Sequence, residues 1–270
     1  MVISSNLPRT MRAPLTLLLS CLLVGALLPG TAHAARHPVE NSPELTDNPL
    51  YSSGRLETTE CRTPPQKAGD AASVKRYLLT VKKCLDETWS AQFAKMGKPF
   101  RPPLVKIFTK PRAFCGKPWA KSLLSEYCPQ DETIAFLISP VILEDPSRLY
   151  SFLSIGHEYG HHVQQMSGIQ DAYARLPHRT TGERQEQTRR HDLQAECLSA
   201  AFTRSVWKSL KRPKNDWHVL LAGMWSGGDD LWKTHEYGKG SSIVHWMEEG
   251  FAKASPGDCD TWSAPASEVA

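Results

Sequence analysis

The sequence predicts an α+β fold, mainly helical with a small sheet. Three observations carry this. First, long stretches near residues 71–97, 145–168 and 182–210 place apolar residues at three- and four-residue steps, as a helix buried on one side requires. Second, two short runs, Leu104–Phe108 and Thr133–Ser139, are rich in β-branched and aromatic residues and read as strands. Third, the middle helical stretch carries His157-Glu158-x-x-His161, which places an HExxH pattern on a central helix.

Taken in order, the chain opens on an export signal. Arg9 and Arg12 give a positive start, Ala13 to Leu28 is an apolar run, and Ala32-His33-Ala34 is a small-x-small site, so cleavage is expected after Ala34. The run is too short and weakly flanked for a permanent membrane helix, and no later stretch can span a bilayer. About 236 residues remain, enough for one domain with a real core. Cleavage removes two Arg and no acidic residue, so the formal charge falls from +4 to +2. Nothing in that balance suggests a nucleic-acid partner.

Residues 35–70 contain five Pro among many polar residues and read as an extended or disordered lead-in. Val74, Leu78, Leu79, Val81, Leu85 and Trp89 mark the first long helix, which Gly97 and Pro102-Pro103 end. The strand at 133–139, just before the HExxH helix, could offer the edge on which an extended peptide pairs. In the HExxH helix, Asp145-Pro146 reads as cap and first helical residue and Gly168 as the stop. Leu149, Phe152, Leu153, Gly156, Gly160 and Val163 form its buried stripe. Two Gly weaken such a helix, and they make sense if another element must approach its metal face closely. In the last long helix Leu193, Ala195, Leu198, Phe202, Val206 and Trp207 supply the stripe. Trp207, Trp217, Trp225, Trp232 and Trp246 read as core at their helical spacings. The domain proper is set at 71–262, with 263–270 a C-terminal tail.

Six Cys remain after the signal is removed, and an even number in an exported chain argues for disulfides. Six allow fifteen pairings. Proximity along the chain suggests Cys61 with Cys84, Cys115 with Cys128, and Cys197 with Cys259.

The chemistry lies in the HExxH. Residues four apart share a helix face, so His157 and His161 can both reach one zinc ion. Glu158 then projects beside the metal, where it can take a proton from water. His162 lies about 100° around the helix and reads as a polar neighbour. A third protein ligand is needed. Asp192 and Glu196, four apart on the last long helix, are the candidates: one can complete the ligand set while the other holds the outer nitrogen of a ligating His.

The segments HEYGHHVQ and Asp192-Leu193-Gln194-Ala195-Glu196-Cys197 resemble the neutral zinc metallopeptidase family. Asn48-Pro49-Leu50-Tyr51, Cys84-Leu85-Asp86, Pro99-Phe100-Arg101-Pro102-Pro103, Tyr127-Cys128-Pro129 and Cys259-Asp260-Thr261-Trp262 extend the resemblance over about residues 46–262. It implies a zincin-like domain and zinc-dependent peptide hydrolysis, with His157 and His161 as ligands and Glu158 as general base. The chain departs from the family pattern twice. The family has Glu first and Asp four later, whereas here Asp192 precedes Glu196. Either Asp192 ligates with its helix sitting closer, or Glu196 reaches the metal instead. The family also carries a His-Gly before its final Trp-containing helix, where this chain has Thr234-His235-Glu236-Tyr237-Gly238. Tyr237 takes that place with His235 nearby, and either could donate a hydrogen bond to the oxyanion.

There is no GxSxG, GxxxxGK[ST] or GxGxxG pattern. The expectation is a secreted zinc endopeptidase binding one Zn2+ and acting on a polypeptide or peptide. The alternative is a catalytically inactive exported binding protein that keeps the zincin fold. Cleavage of cell-wall peptide cross-links would use the same chemistry on another substrate.

Overall fold

In the computed structural model, the structure describes residues 39, 41–120, 123–144 and 149–270. The signal segment and the Asp145-Pro146 cap lie outside the described residues.

A short helix α1 (Pro43–Thr46) precedes the long α2 (Ala71–Lys95), whose N-cap Asp70 accepts from the amides of Ala72 and Ser73. Three strands follow, β1 (Leu104–Phe108), β2 (Ser125–Cys128) and β3 (Thr133–Leu137), and then α3 (Pro140–Glu144). The HExxH helix is α4 (Leu149–Ser167), which Gly168 stops at φ 83° before α5 (Ile169–Arg175). The longest helix, α6 (Thr181–Leu210), is followed by α7 (Asn215–Trp225), α8 (Asp229–Trp232) and α9 (Gly240–Lys253), and two short 3₁₀ turns close the chain.

The sheet order is β1-β3-β2, with β1 parallel and β2 antiparallel to β3. This corrects one expectation. The strand before the HExxH helix is the central one, paired on both sides, and has no edge to offer a peptide. Each of its five residues is buried, as a continuous apolar run in a central strand requires. Ile134 and Phe136 face the main core, while Ala135 and Leu137 pack with Phe114 and Trp119 in a second, smaller cluster. The edge on this side is β2, whose sequence Ser125-Glu126-Tyr127-Cys128 has too few apolar residues to read as a strand.

All three suggested disulfides are formed: Cys61–Cys84, Cys115–Cys128 and Cys197–Cys259. The second ties the loop before β2 to the end of that strand, and the third ties α6 to the first 3₁₀ turn (Pro256–Cys259). Leu45, Leu50, Leu56 and Cys61, from the stretch read as a lead-in, are buried in the main core. At the other end, Arg189 Nε donates to Val269 O at 2.7 Å and the buried Arg190 donates to Ala264 O at 2.9 Å. These contacts fasten residues 263–270 to α6. Trp217 and Trp246 are buried as expected and Trp207 is half-buried, but Trp225 and Trp232 are 58% and 52% exposed. Helical spacing alone does not say which face is covered.

The two Gly of α4 meet α6 directly. A Cβ on Gly156 would fall 2.4 Å from Ser199 Oγ, and one on Gly160 would fall 2.8 Å from Ala195 O and 2.9 Å from its Cα. The second clash is with backbone, which cannot rotate away. Gly160→Ala is therefore expected to destabilise the domain by about 1–3 kcal/mol, despite the better helix propensity of Ala. Thermal unfolding of the metal-free protein measures this; an unchanged or raised Tm would show that the helices have room to part.

Candidate metal and catalytic site

The close approach at Gly160 brings the acidic face of α6 against the HExxH. Nε2 of His157 and Nε2 of His161 lie 3.1 Å apart. Asp192 Oδ1 is 3.5 Å from the first and 3.7 Å from the second. Among the described residues, these three side chains form the one group of His, Cys, Asp or Glu able to share an ion, with ligand atoms all within 4.8 Å. Glu196 lies elsewhere: its Oε1 is 3.1 Å from Nδ1 of His157, on the opposite side of the ring and off the line of a proper hydrogen bond.

The surroundings suit a cation. His161 Nδ1 is 2.8 Å from Gln164 Oε1. An amide oxygen can only accept, so the His161 proton sits on Nδ1 and Nε2 presents its lone pair to the cluster. The Gln164 amide nitrogen donates to His191 O at 2.7 Å and to Gln194 Oε1 at 2.9 Å, which fixes its orientation. Gln194 Nε2 in turn donates to Tyr51 Oη and Cys259 O. Burial works against ionisation of Asp192, but His157 and His161 outweigh it and hold the carboxyl well below its usual range. Burial likewise lowers His157, yet Glu196 and Asp192 prevail and draw positive charge onto it. Once an ion displaces that proton, two neutral imidazoles and an ionised carboxylate are a donor set zinc accepts.

Glu158 is buried next to this cluster, and Ser125 Oγ on the edge strand β2 donates to its Oε1 at 2.8 Å. Burial raises its pKa, and the two ligand-like His only partly offset that. A cavity of about 300 Å3 opens beside it, lined by His157, Glu158, Glu196, Ser125, Tyr237 and apolar neighbours. Tyr237 is 37% exposed on this wall. Burial, then the nearby Asp192 charge, push its pKa up, so it stays a phenol able to donate. Asp229 holds its loop: Oδ1 accepts from the amides of Glu236 and Tyr237 and Oδ2 from that of Gly238, all within 3.0 Å. His235 is exposed and does not line the cavity; its carbonyl accepts from Arg189. The Thr234–Gly238 segment thus brings Tyr237 to the cleft and leaves His235 outside. His162 points away from the cluster. Its Nε2 lies 2.6 Å from Arg101 O and its Nδ1 2.9 Å from Tyr127 Oη, so it is a neutral structural link, and burial lowers its pKa.

Sequence reasoning gave no role to Gln164, Gln194, His191 or Ser125. Gln164 stands three residues after His161, a spacing that shares a face, and could have been found. His191 could not: its ring stacks on that of His161 at 4.8 Å and on Tyr173 at 4.5 Å through tertiary packing alone.

A family model described as "Putative neutral zinc metallopeptidase" matches residues 52–262. The chain belongs to this family. Family membership implies zinc, and the His157, His161 and Asp192 group could bind a metal. A protein named "Uncharacterized protein YpfJ" in Escherichia coli strain K12 is similar, at 28% identity over 196 residues covering 66% of this chain and 67% of the relative. The protein of the same name in Escherichia coli O6:H1 strain CFT073 matches to the same extent. No solved structure matches the chain.

If this donor group holds the ion, Gln164 is expected to matter for metal binding. Gln164→Leu removes the acceptor on Nδ1 of His161 and should weaken zinc binding by about 10–100-fold. Chelator competition reads the affinity, with Gln165→Leu on the half-buried side of the same turn as the control. Equal affinity in both variants would leave Gln164 a packing residue.

Proposed function

We propose that this chain is an exported zinc peptidase in which His157, His161 and Asp192 hold the ion and Glu158 is the general base. The observation that carries the reading is the convergence of three donor atoms beside a buried carboxylate, with His157 and Glu158 on the wall of an open cavity. Zinc bound there would polarise the peptide carbonyl and lower the pKa of water toward about 7. Glu158 takes a proton from the attacking water and later passes it to the leaving amine. Ser125 orients the Glu158 carboxylate, and Tyr237 donates to the oxyanion. Glu196, 3.1 Å from the outer nitrogen of His157, sets a negative charge beside that ring. Ser125 and Leu124 place the end of the edge strand β2 on the cavity wall, where the main chain of an extended polypeptide could pair.

Maturation after Ala34 and secretion belong to the same proposal, supported by the leader composition and by three disulfides, which persist in oxidising compartments. Among the described residues no helix is long and apolar enough to cross a membrane.

The test is metal analysis and hydrolysis on one preparation. One zinc per mature chain, cleavage of an unfolded protein, and loss and recovery of cleavage on chelation and zinc addition are expected. The reversed Asp192/Glu196 order motivates the alternative, an inactive exported binding protein; zinc retained with no cleavage of any peptide would favour it.

A further inference from the structure

Beside the candidate catalytic cavity lies a second cavity of about 310 Å3, lined by Tyr150, Val219, Leu220, Gly223, Met224 and Asp216. Tyr150 and Met224 line both cavities, so the two compartments adjoin. The carboxylate of Asp216 is taken up by Arg212, whose Nε and Nη2 lie 2.8 and 2.6 Å from Oδ2. What remains toward the cavity is apolar, and Val219 is 58% exposed there. Gly223 adds room: a Cβ at that position would meet nothing within 4 Å. Tyr150 lies seven residues before His157 on α4, an axial distance of about 10 Å. That is the reach of about three residues of extended chain.

We propose that this compartment binds a bulky apolar side chain of an extended polypeptide substrate, about three residues from the bond cleaved. The proposal rests on the peptidase reading for the direction of the substrate, and it names the substrate class: unfolded, apolar-rich polypeptide rather than the short, charged peptides of a cell wall. The apolar lip continues on α8, where Leu231 and Trp232 are 58% and 52% exposed and Trp232 also lines the first compartment. Exposed aromatic and aliphatic side chains clustered beside a cleft are the surface on which a passing apolar segment is retained.

The experiment uses zinc-loaded mature protein and fluorescein-labelled Gly/Ser decapeptides carrying one Phe, Leu or Asp at a varied position. Binding is read by anisotropy on the Glu158→Gln protein and cleavage on the wild type. Phe or Leu should bind about tenfold more tightly than Asp at the same position. Gly223→Leu, which fills the compartment and favours the helix, should abolish that difference with zinc content unchanged and Tm unchanged or raised. Val219→Asp should reduce it in the same way. Equal binding of all peptides, or a preference that survives Gly223→Leu, would overturn the proposal. Cleavage without preference would leave the peptidase and remove the apolar compartment; preference without cleavage would do the reverse. Loss of phosphatidylcholine-vesicle binding or of a dimer in Gly223→Leu, with peptide binding unaltered, would overturn it by assigning the patch to a lipid surface or to a second copy.

Discussion

Glu158→Gln is expected to lower kcat/KM for a quenched peptide by about 10²–10⁴-fold while zinc content stays at that of the wild type. The amide has the shape of the carboxylate, and its oxygen can still accept from Ser125, so the packing of this buried side chain is kept. What it loses is the ability to take a proton. Glu158 is also absent from the group of converging donor atoms, so the metal should not notice the change. Unchanged hydrolysis would remove Glu158 from the mechanism. Loss of zinc along with activity would mean that the residue holds the ion rather than the proton.

The second large effect concerns the reversed acidic pair. Asp192→Ala should weaken zinc binding by more than about 100-fold and Glu196→Ala by about 10–100-fold, the latter being the range for residues that orient a ligand. The difference follows from position. Asp192 Oδ1 faces both Nε2 atoms at 3.5 and 3.7 Å, whereas Glu196 Oε1 stands at the far nitrogen of His157. Chelator competition on the folded variants measures both. If Glu196→Ala proved the more damaging, the ligand would be the longer side chain and the rings would have to turn to meet it. A shorter ligand needs a shorter gap between helices, and Gly160 against Ala195 supplies one.

Some of this was readable in one dimension. The HExxH, the long helical stretches and the Gly pair are local patterns, set by which residues recur at one turn of a helix. The three disulfides join the nearest available cysteines, and proximity along the chain was enough to suggest them. Other features were not legible. Ser125-Glu126-Tyr127-Cys128 has no strand pattern of its own; it is a strand because β3 gives it a partner. Residues 43–61 look like a polar, Pro-rich lead-in, yet Leu45, Leu50 and Leu56 find apolar surface to cover. Trp225 and Trp232 share the helical spacings of the buried Trp and are nonetheless exposed, Trp232 at the cleft.

By itself the sequence determined which residues could grip an ion, because two imidazoles one helical turn apart face the same way in any helix. It also determined that α6 would offer two carboxylates on one face. Only the tertiary structure decided which carboxylate turns toward the imidazoles, that Gln164 and not a carboxylate fixes the His161 tautomer, and that Tyr237 rather than His235 looks into the cavity. Those choices depend on how closely two helices pack and on how Asp229 folds one loop. Packing distance and loop path are set by contacts between residues far apart in the chain, and no local pattern records them.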